Sequence, residues 1–529
     1  MISGVLEKGQ VPHAVPAHGP TQSFYNAGWK IGDSTGCTLG AHQERALQVP
    51  GDQSMLLVSV SGVRGIVGES LTAEVVARYA SAFASVRDAS PILVSRDSRP
   101  SGDMLRHAVL AGVMETGATV LDAGILPTPT CGLAIRHYRA AGGIQITASH
   151  NPAPWNGLKL FDADGAVLSS EQGAAVKEYF DRGVSRHAPW NQIGQVRVPP
   201  DILPVHIEAV LDRVRVTEIA SQRWHVFLDA NGGAGGSLGR QLLEQLGCEV
   251  TLHGGEADGH FLHPPEPTPE HLAEVATWVV RNQAKIGFAL DPDADRLALI
   301  DEHGRCLSEE LTLALAVEYR LREDKGPVVI NMSTSRLIEE IACQHGCPCY
   351  RSAVGEAHVV SRMREVQAVI GGEGNGGVIE PRVGWVRDPF VGIAYILALL
   401  TAEQKTLSEM VAQWPQFVMH KTRLPIARSR LEEAYHILTN YFTDARVDSD
   451  DGLRLDAEEW WIHLRPSNTE PLVRLIVESP TENQTLQLCH QVKELLAPLI
   501  HHSTMPEEAG SQDSGQDGDT PMHQATGTR

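Results

Sequence analysis

The chain has 529 residues, too many for one hydrophobic core, so several domains are expected, and its 42% hydrophobic content is ordinary for a globular protein. Its 44 basic and 65 acidic residues leave a net charge of −21. That argues against nucleic acid as a partner, and it requires any site for an anion to be built locally from a few Arg, Lys and backbone N–H groups. No apolar run is long enough to cross a bilayer, the stretch 390–400 included, and no basic-then-apolar secretory pattern opens the chain. A cytoplasmic protein is expected.

Residues 1–54 are rich in Gly, Pro, His and Gln without a periodic apolar face, and read as a disordered extension. Met55, directly before the first strand pattern, is a candidate start. From there strands and helices alternate. Strand 56–60 leads to a turn with Arg64, then a helix from 71 to about 86. Strand 92–95 precedes Ser101, an N-cap candidate for a helix toward 116. Strand 119–122 and a Pro-rich loop, 124–130, open another helix. Ile144, Gln145 and Ile146 end a strand, and Thr147-Ala148-Ser149-His150-Asn151-Pro152 follows. Such a loop can hold the Ser149 hydroxyl in the open, although most Ser-His neighbours in a loop are merely solvated or cap a turn. The chain turns back into a strand at 155–159. A hairpin there brings Lys159 toward Ser149, unless the lysine faces solvent as most do. Helix 170–180 and a linker, 196–204, complete this unit.

The second unit has a helix at 206–214 and a strand at 226–228. The strand ends in the Gly-rich run 229–236, read as mainly structural because it does not fit the dinucleotide fingerprint. Strand 286–290 is followed at once by Asp291, Asp293 and Asp295. Alternate residues of an extended loop point the same way, so three carboxylates can converge on one cation, and oxygen-only ligands suit Mg²⁺. Adjacent carboxylates repel unless a cation compensates them. Arg296 stands where an EF-hand needs glycine, which disfavours that motif.

The third unit shows a helix from 308, a strand at 328–331, a helix from 335, and Val354-Gly355-Glu356 before another helix. Strand 368–370 leads into the Gly-rich loop 371–377 with Glu373 and Asn375, which suits either paired hydrogen bonds to sugar hydroxyls or a tight capped turn. Arg387-Asp388 precedes a helix at 389–400. The last unit has strand patterns at 452–456, 461–465 and 472–478 and an amphipathic helix at 485–496, hence α+β. Its loop, with Ser467, Asn468 and Thr469 between Arg465 and Arg474, can wrap phosphate oxygens or form a Pro-bounded turn. Residues 501–529 read as a disordered tail. Cys343, Cys347 and Cys349 read as ordinary thiols of a reducing compartment ahead of a metal knuckle. A hydroxyl, a carboxylate cluster and an anion cradle together point to phosphoryl transfer through Ser149.

In this order the four loops resemble those of the alpha-D-phosphohexomutases over roughly residues 55–500, and among these the archaeal-like phosphoglucosamine and phosphomannomutases. The resemblance implies three similar α/β domains with mixed sheets plus a smaller C-terminal α+β domain, around a central cleft. The division expected is 55–200 for the phosphoserine loop, 201–303 for the metal, 304–412 for sugar recognition and 413–500 for phosphate binding. It implies an isomerase for a hexose or hexosamine monophosphate that requires Mg²⁺, with a hexose 1,6-bisphosphate as catalytic activator. No nucleic-acid or membrane partner is implied, and the protein would be a monomer or homodimer. By motif, Ser149 is the phosphoserine, with His150, Arg64 and Lys159 beside it in catalysis. Asp291, Asp293, Asp295 and Ser149 hold the metal, while Arg296, Glu373, Asn375, Arg465, Ser467, Asn468, Thr469 and Arg474 bind substrate. Many relatives carry Ser and His where this chain has Asn375 and Gly377, and His or Lys where it has Glu356. The extra carboxylate gives the expectation of glucosamine phosphate as substrate ahead of mannose and glucose phosphates, with a phosphoryl hydrolase and a silent sugar-phosphate sensor as rivals.

Overall fold

The computed structural model describes residues 56–59, 62–466 and 472–500. The expected extension at 1–54, the tail at 501–529 and Val60 of the first strand pattern lie outside the described residues. The first sheet contains β1 (Leu57–Ser59), β2 (Gly62–Ile66), β3 (Ile92–Arg96), β4 (Val120–Ile125), β5 (Gly142–Ile146), β6 (Trp155–Phe161) and β7 (Val196–Arg197), in the order β1-β2-β6-β5-β3-β4-β7. Its parallel strands are buried on both faces. Ile92, Val94, Ile144 and Ile146 share one core with Tyr79, Phe83, Leu105 and Val109, whereas Leu93 joins another with Leu133 and Ile135. Two sequence expectations change here. The 196–204 stretch is not a plain linker: β7 adds to the edge of the sheet beside β4, and a helix begins at Leu203. Ser101 stands at the start of its helix with helical backbone angles and makes no cap, because its hydroxyl accepts from Asn156 Nδ2 instead.

The next two sheets repeat one plan. Strands β8 (His225–Asp229), β9 (Glu249–His253), β10 (Ile286–Leu290) and β11 (Leu297–Ile300) lie in the order β11-β10-β8-β9. Strands β12 (Val328–Asn331), β13 (Cys349–Ser352), β14 (Ile370–Glu373) and β15 (Gly377–Ile379) lie in the order β15-β14-β12-β13. Within the first sheet β6-β5-β3-β4 is the same arrangement. Each repeat has three parallel strands and one antiparallel partner, joined to its neighbour by a hairpin loop. The serine, aspartate and Glu373 loops are those three hairpin loops. The β14 strand runs to Glu373, three residues beyond the expected end, because Gly371 and Gly372 pair with β15 rather than opening the loop.

The helix Pro389–Glu403 is buried almost throughout and joins the second and third units. It is a core helix; among the described residues no helix is long and apolar enough to cross a membrane. Asp388 caps it by accepting from the Phe390 and Val391 amides, and also meets His206 Nε2 at 2.7 Å, whose Nδ1 meets Thr130 Oγ1. One buried chain of bonds thus pins three units together. Cys343, Cys347 and Cys349 are free thiols.

The fourth sheet is antiparallel: β16 (Val418–Leu424), β17 (Arg446–Asp448), β18 (Leu453–Asp456), β19 (Trp461–Pro466) and β20 (Val473–Ser479), in the order β16-β20-β19-β18-β17. One face packs Leu424, Leu464, Leu475 and Val477 against the helices Leu431–Tyr441 and Glu482–Ile500. The opposite face is basic, because Arg423, Arg474 and Arg465 stand in one cross-strand row. His463 on this face is fully buried, its Nε2 against Asp451 O and its Nδ1 against Ser333 Oγ of the third unit. Burial holds its pKa down, to about 4. The unfolded chain therefore binds more protons than the folded one between about pH 6.5 and pH 4, so this histidine removes stability as pH falls through that window. A melting series from pH 7 to pH 4 should fall more steeply for the wild type than for His463→Gln; parallel curves would show that His463 is not the group responsible.

Candidate active site

The aspartate loop lies between β10 and β11, and Asp291, Asp293 and Asp295 are all fully buried. One oxygen of each lies within 4.8 Å of the others. Asp291 Oδ1 accepts the Asp295 and Arg296 amides, and its Oδ2 accepts from Ser149 Oγ at 3.0 Å. Asp293 Oδ2 accepts from Thr128 Oγ1 and Lys159 Nζ, both at 2.6 Å. Asp295 Oδ2 accepts from Lys159 Nζ and Arg387 Nη2, again at 2.6 Å. The remaining oxygens, Asp293 Oδ1 and Asp295 Oδ1, are buried and have no partner. Orphaned carboxylate oxygens in a dry site are costly, and a small divalent cation satisfies them. The donor set therefore fits the expected metal.

The electrostatics follow from burial and two cations. Burial, with Asp293 and Asp295 adding, holds the Asp291 carboxyl well above its ordinary range. Burial acts the same way on Asp293 and Asp295 but is outweighed, by Lys159 at Asp293 and by Arg387 and Lys159 at Asp295, so both lie below the usual range. Lys159 is raised in return: burial works against its charge, but Asp293 and Asp295 prevail. It is a buried lysine of β6 that reaches the aspartates, and the solvent-facing alternative is excluded.

Ser149 is buried in the hairpin loop after β5, with its Oγ 3.3 Å from His150 Nδ1. Burial holds His150 well below its ordinary pKa, and Arg296 and Arg64 push the same way. Gly157 is required opposite this loop, since a Cβ there would lie 2.3 Å from Val63 O and 3.0 Å from Thr147 O. Arg64 Nη1 donates to Asn151 Oδ1 at 3.3 Å. Arg64, His150 and Asn151 line a cleft of about 810 Å³ with Arg296, Glu266, Glu373, Asn375, Arg465 and Arg474 on its other walls.

Glu373 is held by the third unit. Its Oε1 accepts from Asn331 Nδ2 and the Gly355 amide, its Oε2 from Arg387 Nη1 at 3.0 Å. Asn375 Oδ1 is buried without a partner at the cleft wall. At the adjacent Gly374 a Cβ would lie 1.9 Å from Glu310 Oε2, so a side chain there requires the Glu310 carboxylate to move. Arg465 is buried and bonded to Asp451, while Arg474 stands opposite it in the sheet and is exposed to the cleft. Ser467, Asn468 and Thr469 lie outside the described residues.

Four residues of the site escaped the sequence reading. Arg387 bridges Asp295 and Glu373, Thr128 holds Asp293, Asn331 holds Glu373, and Glu266 meets Arg296 Nη1 at 3.4 Å. Only Arg387 had a signal, a lone cation directly before a fully apolar helix. Glu356 also differs from expectation. It does not precede the helix but opens it, buried, with Oε1 accepting the Arg387 amide and Oε2 at 3.4 Å from Arg387 Nε.

Three like hairpin loops around one cleft, bearing a serine, an aspartate triad and a glutamate, define a phosphohexomutase-type isomerase. The phosphoglucomutase/phosphomannomutase alpha/beta/alpha domains I, II and III match residues 55–187, 204–304 and 309–417, and the C-terminal domain matches 430–495. The chain belongs to this alpha-D-phosphohexomutase family. A "Phosphoglucomutase/phosphomannomutase" of Thermococcus kodakarensis is 36% identical over 81% of this chain and 95% of its own. A "Probable phosphoglucosamine mutase" of Methanopyrus kandleri is 34% identical over 81% and 95%. The crystal structure of a phosphoglucomutase/phosphomannomutase family protein from Burkholderia thailandensis superposes with a TM-score of 0.75 at 25% identity, covering 84% of this chain and 97% of that one.

Asp293→Asn replaces the orphaned oxygen or its partner with a neutral amide. Calorimetric titration with MgCl₂ should show weakened binding, by tenfold or more on the scale of removing one charged ligand, about 1.4 kcal/mol per decade. Unchanged affinity would remove Asp293 from the ligand set.

Proposed function

We propose that the protein interconverts the 1- and 6-phosphates of a hexose through a phosphorylated Ser149, with Mg²⁺ at Asp291, Asp293, Asp295 and the serine phosphoryl group, and a hexose 1,6-bisphosphate as intermediate and activator. The observation that carries this is the Ser149 Oγ bonded to Asp291 Oδ2 at 3.0 Å, a hydroxyl aimed into a buried carboxylate triad, with the neighbours His150 and Arg296 on the wall of the cleft. When bound, the metal neutralises charge on the phosphoryl group. Lys159 and Arg64 add positive charge from the serine side, and Lys159 is fixed there by Asp293 and Asp295. The bond from phosphorus to Ser149 Oγ breaks as one to the sugar oxygen forms, and the proton of the sugar hydroxyl ends on Ser149 Oγ. The bisphosphate then presents its other phosphate, and Ser149 takes it back. The proton that must leave the serine already points at Asp291 Oδ2. Arg465, Ser467, Asn468, Thr469 and Arg474 hold the nonreacting phosphate, and binding there is used for orientation. Glu373, Asn375 and Arg296 face the sugar. A carboxylate accepts about four hydrogen bonds; three on Glu373 are filled by Asn331, Gly355 and Arg387, which leaves room on Oε2 for one sugar hydroxyl. We place the enzyme in the cytoplasm, divided near residues 200, 303 and 412.

For the sugar, we favour glucose and mannose phosphates over glucosamine phosphate, reversing the sequence expectation. The Glu356 charge is met by the Arg387 guanidinium and amide, so it supplies no free negative charge for a 2-ammonium. The name of the Thermococcus relative agrees. The second reading, glucosamine phosphate, keeps support from the Methanopyrus relative. Comparing kcat/KM on the three 6-phosphates under one set of conditions decides between them: a preference of tenfold or more for glucosamine phosphate, about 1.4 kcal/mol, would reverse the assignment.

Ser149→Ala should abolish isomerisation while the melting temperature stays within a few degrees of wild type. Intact-mass analysis should find one phosphate on the wild type after incubation with the bisphosphate and none on the variant. Turnover by the variant near the wild-type rate would refute the phosphoserine route, and release of inorganic phosphate in place of isomer would mark a hydrolase.

A further inference from the structure

Ser149 has φ +52°, a left-handed backbone that a serine adopts only when its surroundings impose it. The imposing group is a fully buried arginine on the loop after β3. Arg99 Nε donates to Asp97 Oδ2 at 3.1 Å. Its Nη1 donates to the carbonyls of Pro152 and Trp155 at 2.9 and 3.1 Å, and its Nη2 to those of Ser149 and Asn151, both at 2.6 Å. Each N–H of the guanidinium is thereby used, and the planar fork fits carbonyls on two sides at once. Asp97, also fully buried, completes the grip: its Oδ2 accepts from Thr147 Oγ1 at 2.6 Å, and that oxygen accepts from the Ser149 amide at 2.8 Å. Ser149 is thus held by its N–H through Thr147 and by its C=O through Arg99. One face of the guanidinium lies 5.1 Å from the centroid of the Phe261 ring, which comes from the second unit.

We propose that Arg99 is the positioning residue of the reacting serine. It binds the serine loop through four of its carbonyls and keeps Ser149 Oγ aimed at the bound sugar hydroxyl, so that the phosphoryl group passes to the sugar and not to water. Arg99 touches neither substrate nor metal ligand oxygens and acts only through the loop. The proposal rests on the reading of Ser149 as the phosphoryl carrier. It extends that reading by naming what selects transfer over hydrolysis, two reactions that share the same bond cleavage at Ser149 Oγ and differ only in whether a sugar hydroxyl or water supplies the accepting oxygen.

The test uses the full-length enzyme and two variants. Arg99→Lys keeps the charge but cannot reach four carbonyls from a single ammonium. Phe261→Leu removes the ring beneath the guanidinium and leaves every hydrogen bond donor in place. Intact mass first establishes phosphate on Ser149 of the wild type; a wild type that takes none overturns the mutase reading itself, before either variant is measured. For R99K the expected result is a kcat lower by about 100-fold, as for a misplacement near 1 Å, with KM within about twofold. Inorganic phosphate released per isomerisation should rise severalfold, and faster amide exchange should be confined to residues 147–155. F261L should shift kcat and phosphate release in the same direction by less, and it carries the test if R99K does not fold. A folded R99K with normal kcat and normal phosphate release would overturn the proposal. So would an unfolded R99K accompanied by an F261L whose phosphate release and loop exchange match wild type.

Discussion

Three carboxylates buried together are the constraint on which this structure turns. Asp291, Asp293 and Asp295 are fully buried and repel one another at close range. Ionised, they can be kept there only by positive charge brought close, and each organic cation that does so comes from a different part of the chain. Lys159 arrives on β6 of the first unit, and Arg387 arrives from the third, at the start of the buried helix Pro389–Glu403. The aspartates therefore act as the point at which three units must meet. Neutralisation by Lys159 and Arg387 is incomplete, since two oxygens stay orphaned. That residue of unmet charge is what makes the junction a place for a divalent cation instead of a closed ion-pair cluster.

The repeat explains how one plan yields three different loops. In each unit the strand next to the antiparallel partner ends at the same edge of its sheet, and the hairpin that follows is the part of the unit free to vary. Burial of the strands on both faces leaves no room for chemistry within them. The first hairpin bears a hydroxyl, the second an acidic triad and the third a glutamate. Because the strands fix where each hairpin starts, the side chains meet without any loop being long. The fourth sheet contributes differently, through a face on which Arg423, Arg474 and Arg465 stand in one cross-strand row, Arg465 paired with Asp451. The arginines of the cleft, Arg64, Arg296, Arg465 and Arg474, suit an anionic ligand, and the buried triad suits a cation beside it.

Much of this was legible in the sequence, for a physical reason. Strands such as Ile286–Leu290, Leu297–Ile300 and Val328–Asn331 are short unbroken apolar runs, and the residues that follow them are polar with no periodic pattern, so both the strand and the loop announce themselves. The aspartates were readable because adjacent carboxylates demand compensation. What compensates them was not readable, because Lys159 and Arg387 lie 134 and 92 residues away from their partners and only the fold brings them close. Strands Glu249–His253 and Val418–Leu424 were missed since they are half-exposed edge strands with mixed polarity. The 196–204 stretch looked like a linker because a two-residue edge strand carries no pattern at all.

Glu356 shows most clearly where a local electrostatic argument from sequence fails. As one more carboxylate in a sugar-recognition unit, it seemed to favour a cationic substrate. In the structure it is one of three acids that share a single guanidinium, with Asp295 and Glu373. Each of those carboxylates is buried, so removing the positive charge from any one would leave an unpaired anion in a low-dielectric site. The charge of Glu356 is therefore tied to the placement of Arg387, and through it to the aspartate triad on one side and the sugar loop on the other. Its consequence is geometric: by accepting the Arg387 amide, with its Oε2 3.4 Å from Nε, it holds the arginine where Nη1 faces Glu373 and Nη2 faces Asp295. A carboxylate whose charge is already matched orients its neighbours, and the groups left with bonds to make beside it are Asn375 Oδ1 and the open side of Glu373 Oε2.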